Sequence, residues 1–368
     1  QSFRLQQPQP KVSVPVGQTL TLNCTTSGTA GPGPVMWLKG WGSENTTVYD
    51  QKRKDQFSRV TRAVDVSDTD FTIHIRNAQP EDTGTYYCVK FVKGNSGQDE
   101  VFQRGSGTEV SVQAKPSSPL VSGPEQRAQP GQSVPFTCTT GGFFPGDIGV
   151  KWFKNRDPMM AAVPQVNKSG VNTYNMSSTV MLTLQKDDVP SRVSCEVQHS
   201  TLPAPLRESY DLSRVLRVPP SVEVRPEPSP VEVNKTVTFT CMVKEFYPAN
   251  VSVSWLENGI EIKVQNVSRP FELSKGLFGL SSQLELQATE EKNGSTITCV
   301  VVHDAQAPAS YPTILWISNP AQGGLSKGLQ MSKGETLLSS LLLLWLGIQL
   351  EKGLLGGLLF FLFKRMKG

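Results

Sequence analysis

Six cysteines, at positions 24, 88, 138, 195, 241 and 299, limit the folds open to this chain more than any other feature. Six can pair in about fifteen ways. Taken in order, however, they lie 64, 57 and 58 residues apart, one spacing repeated three times. A zinc site wants cysteines a few residues apart, and there are none. The repeat favours one bridge per domain, Cys24 with Cys88, Cys138 with Cys195 and Cys241 with Cys299, in an oxidising compartment. A tryptophan follows the first cysteine of each pair after 13 or 14 residues: Trp37, Trp152 and Trp255. Two sheets packed about 10 Å apart, bridged by a disulfide that an indole covers, account for such spacing.

Period-two alternation supplies the strands. Leu20, Leu22 and Cys24 alternate with Thr21 and Asn23. Val134, Phe136 and Cys138 repeat the pattern, as do Val237, Phe239 and Cys241. Phe71, Ile73 and Ile75 follow it too, then Val180, Leu182 and Leu184, then Leu284 and Leu286. One face of each strand is therefore apolar. No long 3.6-residue periodicity occurs before residue 337. The expected fold class is all-β: three immunoglobulin-like β-sandwiches followed by a single transmembrane α-helix. The expected domains are residues 1–114, 115–217 and 218–320, with proline-rich joints near Lys115-Pro116 and Val218-Pro219-Pro220.

Composition and motifs exclude several function classes. A chain of 368 residues fits about three domains. Of the net charge of +4, the residues from 337 onward carry four basic groups against one acid. The rest is almost neutral, which is no footprint for nucleic acid. Lys52-Arg53-Lys54, followed by Asp55, reads as a solvated loop. Seven asparagines open N-x-S/T without an intervening proline: Asn45, Asn167, Asn175, Asn234, Asn250, Asn266 and Asn293. They are expected glycosylation sites and argue for an exported chain. Asn23 also fits the sequon but adjoins Cys24 on a core strand and is discounted. The chain opens on Gln1, so an export signal is expected to have been removed. Of three histidines, His74 sits in an alternating strand, and His199 and His303 occupy equivalent places in two repeats. No H-E-x-x-H, G-x-S-x-G or P-loop is present, so no enzyme, metal or cofactor is expected.

The first repeat carries Asp82-Thr83-Gly84-Thr85-Tyr86-Tyr87-Cys88. Tyr86 fits a tyrosine corner. Arg59 is expected to pair with Asp82, and Gly105-Ser106-Gly107-Thr108 to kink a final edge strand. Together these resemble a V-set domain. The other repeats carry Phe143-Phe144-Pro145 and Phe246-Tyr247-Pro248, with His199 and His303 four residues after the second cysteine. They resemble C1-set domains. Further strings sharpen the match: Tyr86-Tyr87-Cys88-Val89-Lys90-Phe91, Gly107-Thr108-Glu109-Val110, Ala114-Lys115-Pro116-Ser117, Lys151-Trp152-Phe153-Lys154-Asn155 and Trp255-Leu256-Glu257-Asn258-Gly259. Over residues 1 to about 318 the chain resembles the signal-regulatory proteins of myeloid cells. That resemblance implies binding of the integrin-associated protein through V-domain loop tips. The matching stretches are 26–33, 51–52, 66–69 and 93–99, with Thr29, Ala30, Gly33, Gln51, Lys52, Ser67, Thr69, Lys93, Gly97 and Asp99 as contact candidates. The chain departs from the family at Thr29 and Ala30, where binders carry bulky aliphatics, and in a longer last loop. Both departures weaken inheritance of that ligand.

After a stalk over 321–336, residues 337–363 form a leucine-rich stretch interrupted by Gln349, Glu351 and Lys352. As a helix it would span roughly 40 Å, enough for a hydrocarbon core of about 30 Å. Lys364, Arg365 and Lys367 follow, so residues 364–368 are expected in the cytoplasm and the domains outside the plasma membrane, a single-pass type I arrangement. All seven tyrosines precede the span, so this tail is expected to hold no tyrosine-based inhibitory motif. A lysine near the bilayer centre costs roughly 2.5–3.5 kcal/mol and should face a partner. The activating branch of the family implies one. Its membrane lysine pairs with an aspartate of TYRO protein tyrosine kinase-binding protein, an adaptor with immunoreceptor tyrosine motifs. Gly353 and Gly357 would let that helix approach, whereas Glu351 beside Lys352 departs from the family. The alternative is a receptor that adheres, or acts as a decoy, without signalling.

Overall fold

In a computed structural model, which describes residues 2–52, 58–263 and 266–319, each tryptophan lies across a strand pair from the second cysteine of its domain. Trp37 pairs with Cys88, Trp152 with Cys195 and Trp255 with Cys299. The three indoles are all but fully buried. Each N–H is satisfied, by the Phe71 carbonyl at 2.8 Å, Ser178 Oγ at 2.9 Å and Ser282 Oγ at 2.9 Å. A buried indole needs such a partner. The disulfides are Cys24–Cys88, Cys138–Cys195 and Cys241–Cys299.

The first domain stacks a three-stranded sheet (Leu20–Leu22, Ile73–Ile75, Val60–Arg62) on a larger one. The larger sheet runs Lys11–Pro15, Thr108–Gln113, Gly84–Lys93, Val35–Lys39, Thr46–Asp50, and Asp99–Arg104 also pairs with Gly84–Lys93. Leu20, Leu22, Ile73, Ile75, Val110 and Val112 fill the space between, as their alternation requires. The second domain opposes two four-stranded sheets, and the third opposes a five-stranded sheet to a four-stranded one. In that five-stranded sheet Asn266–Val267 and Phe271–Glu272 both pair with Phe278–Gln287.

At the base of the first domain Arg59 donates to both carboxylate oxygens of Asp82, at 2.9 and 2.8 Å. The Tyr86 hydroxyl donates to the Asp82 carbonyl at 2.7 Å. One expectation fails. The final strand, Thr108–Gln113, is no edge, because Lys11–Pro15 adds to it in parallel register. The glycine break at residues 105–107 is instead sealed by Gln7. Its amide donates to the Tyr86 carbonyl and Thr108 Oγ1, and accepts from the Cys88 and Gly107 N–H groups. Gly105 must lack a side chain, since a Cβ there would lie 2.1 Å from the Gln7 amide oxygen.

The domains meet through backbone bridges, Ala114 with Phe144 and Val218 with Tyr247. At the second joint Arg217 pairs with Asp304 at 2.9 Å, and Leu277 of the third domain is buried in the second domain's core cluster. Among the described residues the only helical pieces are single 3₁₀ turns, and no helix is long and apolar enough to cross a membrane. The expected span at 337–363, with Lys352, lies outside the described residues.

Candidate ligand-binding site

Four loops gather at one end of the first domain because the strands that carry them are bonded neighbours. The loop ahead of Val35–Lys39 meets the loop after Gly84–Lys93 through two bonds, Lys93 N–H to Pro32 at 3.0 Å and Phe91 N–H to Pro34 at 2.9 Å. Gly33 sits at their closest approach. A Cβ on it would stand 2.2 Å from the Phe91 carbonyl oxygen. The Lys90 ammonium, held below its ordinary pKa by burial, caps the Gly33 carbonyl at 2.6 Å. The loop around Ser67 and Thr69 joins through the Thr26 N–H, which donates to the Thr69 carbonyl at 2.7 Å. Ser67 Oγ accepts from the N–H groups of Thr69 and Asp70, closing that turn.

The charged side of the tip centres on Asp99. Lys93 reaches it at 2.7 Å and Lys52 at 3.2 Å. The two ammonium groups hold its carboxyl below the usual range. Asp50 in turn accepts from the Lys52 N–H at 2.9 Å, and the Gln51 amide oxygen accepts from the Val35 N–H at 3.4 Å. Gly97, at positive φ, turns the last loop. The other side of the tip carries small side chains at Thr29, Ala30, Ser67 and Thr69, with exposed Asp68 among them. Thr29 is exposed and bridges to Ser2, and Ala30 is half-buried beside it. Val66 stands 91% exposed at the neighbouring turn. The contact candidates thus divide between a small-residue half and an ion-paired half on one surface. Residues 53–57 lie outside the described residues. Lys90, Asp50 and the N-terminal strand Arg4–Gln6, which pairs with Thr25–Ser27, were not legible as parts of this end. Lys90 and the N-terminal strand act through contacts more than a dozen residues away in sequence, whereas Asp50 closes a local turn onto Lys52.

Asn45, Asn167, Asn175, Asn234, Asn250 and Asn293 are all exposed, and the side chain of Asn266 lies outside the described residues. His199 and His303 do the same work in their domains. Each ring sits edge-on to a phenylalanine at 5.5 Å, with Nε2 at 2.9 Å from a proline carbonyl, Pro145 or Pro248. They are core groups at the turn that follows each first cysteine's strand. His74 bonds Thr21 across the sheet at 2.9 Å. Among the described residues no cluster of histidine, cysteine and carboxylates could hold a metal.

Comparison with known proteins agrees with this architecture. The immunoglobulin V-set domain model matches residues 6–113, and the immunoglobulin C1-set domain model matches 120–202 and 222–306. Human signal-regulatory protein beta-1 is 41% identical over 317 residues, 85% of this chain and 79% of that protein. The mouse protein called tyrosine-protein phosphatase non-receptor type substrate 1 is 42% identical over 318 residues, 83% of this chain. Its bovine counterpart is 40% identical over 320 residues, 85% of this chain. The matched region spans 60% and 62% of those two proteins, less than two thirds of their length.

Proposed function

Since this chain belongs to the signal-regulatory protein family, a family of immunoglobulin-type receptors and not of enzymes, we propose that it binds a protein on an opposing cell through the loop end of its first domain. We further propose that it is held in the plasma membrane by residues 337–363 and signals through Lys352. The observation that carries the ligand reading is the braced four-loop end. Its backbone is pinned by bonds between loops, while Val66, Thr29 and the Lys52–Asp99–Lys93 cluster face outward. Fixed loops with exposed side chains lose little freedom on binding. The integrin-associated protein is the first candidate. Thr29 and Ala30 offer it less apolar surface than the bulky side chains of its binders, and buried large side chains dominate such interfaces.

The test uses cells displaying the full chain. They are stained with the soluble ectodomain of the integrin-associated protein and, separately, mixed with a panel of ligand-bearing cells. Asp99→Lys leaves three lysines together at the tip and should cut whichever binding occurs by about tenfold or more, the scale of a like-charge contact at an interface. Unchanged binding would remove the loop end from consideration. For the signalling half, the adaptor should co-precipitate with the wild-type chain in mild detergent and not with Lys352→Leu. Equal recovery from both, or none from either, leaves adhesion alone.

A further inference from the structure

One sheet of the second domain has an outer face without charge. Its strands run Leu120–Ser122, Ser133–Phe143, Thr173–Thr183, Gln165–Gly170. Alternate positions of the first three strands enter the core, and the others point out. Those outward positions are serine, threonine, proline, glycine, asparagine, leucine and methionine only, and Gln165 and Asn167 of the edge strand pair onto them. The fold itself does not demand this. The matching sheet of the third domain turns Glu223, Arg225, Glu227, Lys244 and Glu285 outward. The uncharged face also exposes large apolar groups, with Leu120 at 66% and Met181 at 59%.

A groove of about 410 Å³ opens at one end of this face, lined among others by Ser117, Leu120, Thr139, Gly141, Asn167 and Asn175. Both asparagines open sequons, Asn167-Lys168-Ser169 and Asn175-Met176-Ser177. They are direct cross-strand partners, and Gly141 completes their row. A Cβ at Gly141 would lie 2.2 Å from Asn175 Oδ1. The Asn175 amide therefore lies down across the bare backbone of Gly141, along the sheet, instead of standing off into solvent.

We infer that the oligosaccharide on Asn175 folds into this groove and along the uncharged face as its standing cover. The chemistry matches on both sides. Sugar hydroxyls can exchange hydrogen bonds with the serine and threonine hydroxyls of the face. Their C–H faces can rest on Leu120, Pro135 and Met181. A neutral glycan leaves no buried charge unpaired, which suits a face that has none. From Asn175 to Met181 the strand runs about 20 Å, within reach of an N-glycan core. The competing occupant is a second copy of the chain. A glycan rooted at the end of the same face denies it room. The inference shares one premise with the receptor reading, passage through the secretory route.

The experiment reads glycoforms site by site on the full chain made in mammalian cells, by glycopeptide mass spectrometry before and after endoglycosidase H. A glycan lying on protein is shielded from trimming. Asn175 should be occupied and mostly oligomannose, hence sensitive to the enzyme, while the turn sites Asn234 and Asn250 carry processed, resistant glycans. Met181→Asp, at an exposed position, should shift Asn175 toward the resistant forms without changing the other sites. Asn175 left unoccupied while Asn250 is glycosylated, or processed as fully as Asn250 in both proteins, overturns the inference. So does an unglycosylated Asn175 in a chain that elutes as a dimer dissociated by Met181→Asp, which gives the face to a second copy. Absence of glycan at every site would instead remove the secretory premise, and the receptor reading with it.

Discussion

Replacing Asp82 with asparagine isolates what holds the base of the first domain, far from its loops. The Asp82 side chain is 12% exposed and its carboxylate accepts two bonds from Arg59 and one, at 2.8 Å, from the Gln79 N–H. Burial alone would raise its pKa. The Arg59 guanidinium, the Gln79 amide and nearby Lys39 outweigh burial and hold it below the usual carboxylate range. An asparagine keeps one acceptor and turns an NH₂ toward the guanidinium. Breaking a fully buried pair costs about 3–5 kcal/mol, and breaking an exposed one about 0–1 kcal/mol. The Arg59 side chain is 45% exposed, so the expected loss lies between, at about 2 kcal/mol. At about 1.4 kcal/mol per decade, amides of Gly84–Lys93 should exchange with solvent about 30-fold faster at pH 7. The pH dependence has a fixed sign. A carboxyl with a depressed folded pKa contributes stability above its unfolded value near 3.9, and that contribution is lost as pH falls through the folded value. The gap between wild type and variant should therefore narrow as pH falls below about 3.9 and go on closing through the folded value. A change under about threefold at pH 7, or a gap that persists undiminished in acid, would refute the reasoning.

Three further outcomes are expected. Leu277→Ala removes a side chain of the third domain that is 6% exposed in the second domain's cluster, and should cost about 2–4 kcal/mol in denaturant melts while separating two unfolding midpoints that wild type holds together. Burial lowers the pKa of His303 against the opposing effects of the Pro248 carbonyl and Asp304, with Arg217 and Arg127 adding to the depression. The third domain should thus weaken as pH falls below about 6.5, by up to about 1.4 kcal/mol per unit, and His303→Gln should flatten that slope. Gly33→Ala forces a Cβ against backbone atoms that cannot rotate away, so ligand-bearing cells should no longer bind and the Phe91 amide should lose exchange protection, with all three disulfides intact.

The frame of the fold was legible because it is local and repeated. Alternation at Leu20, Leu22 and Cys24 decides which face of a strand is buried, and a cysteine's distance to its tryptophan follows from the strands between them. Asp82, Tyr86 and Cys88 fall within one turn and one strand, so their roles could be read from spacing. Gln7 could not. Its four partners lie 79 to 101 residues away, and nothing about a glutamine near an N-terminus marks it as the seal of a strand break. The same holds for Lys11–Pro15, whose parallel pairing turned an expected edge into an interior strand. Leu277 belongs to the third domain by position, and only the packing of the joint places it in the neighbour's core.

The loop end divides along the same line. Family resemblance located its stretches, but the bonds that fix them join residues from different loops: Thr26 to Thr69, Lys93 to Pro32, Lys52 to Asp99. Those bonds are mostly backbone to backbone, so they survive a change of side chain. The Lys52–Asp99 ion pair is an exception, and so are Gly33 and Lys90, whose own atoms set the spacing between the first and last loops. Thr29 and Val66 carry no such burden and stand exposed on a frame that other residues maintain. A receptor built this way can change its ligand at the tip while its stability stays in Gln7, Asp82 and the covered disulfide. On that frame Thr29 and Ala30 can vary with little cost to the fold.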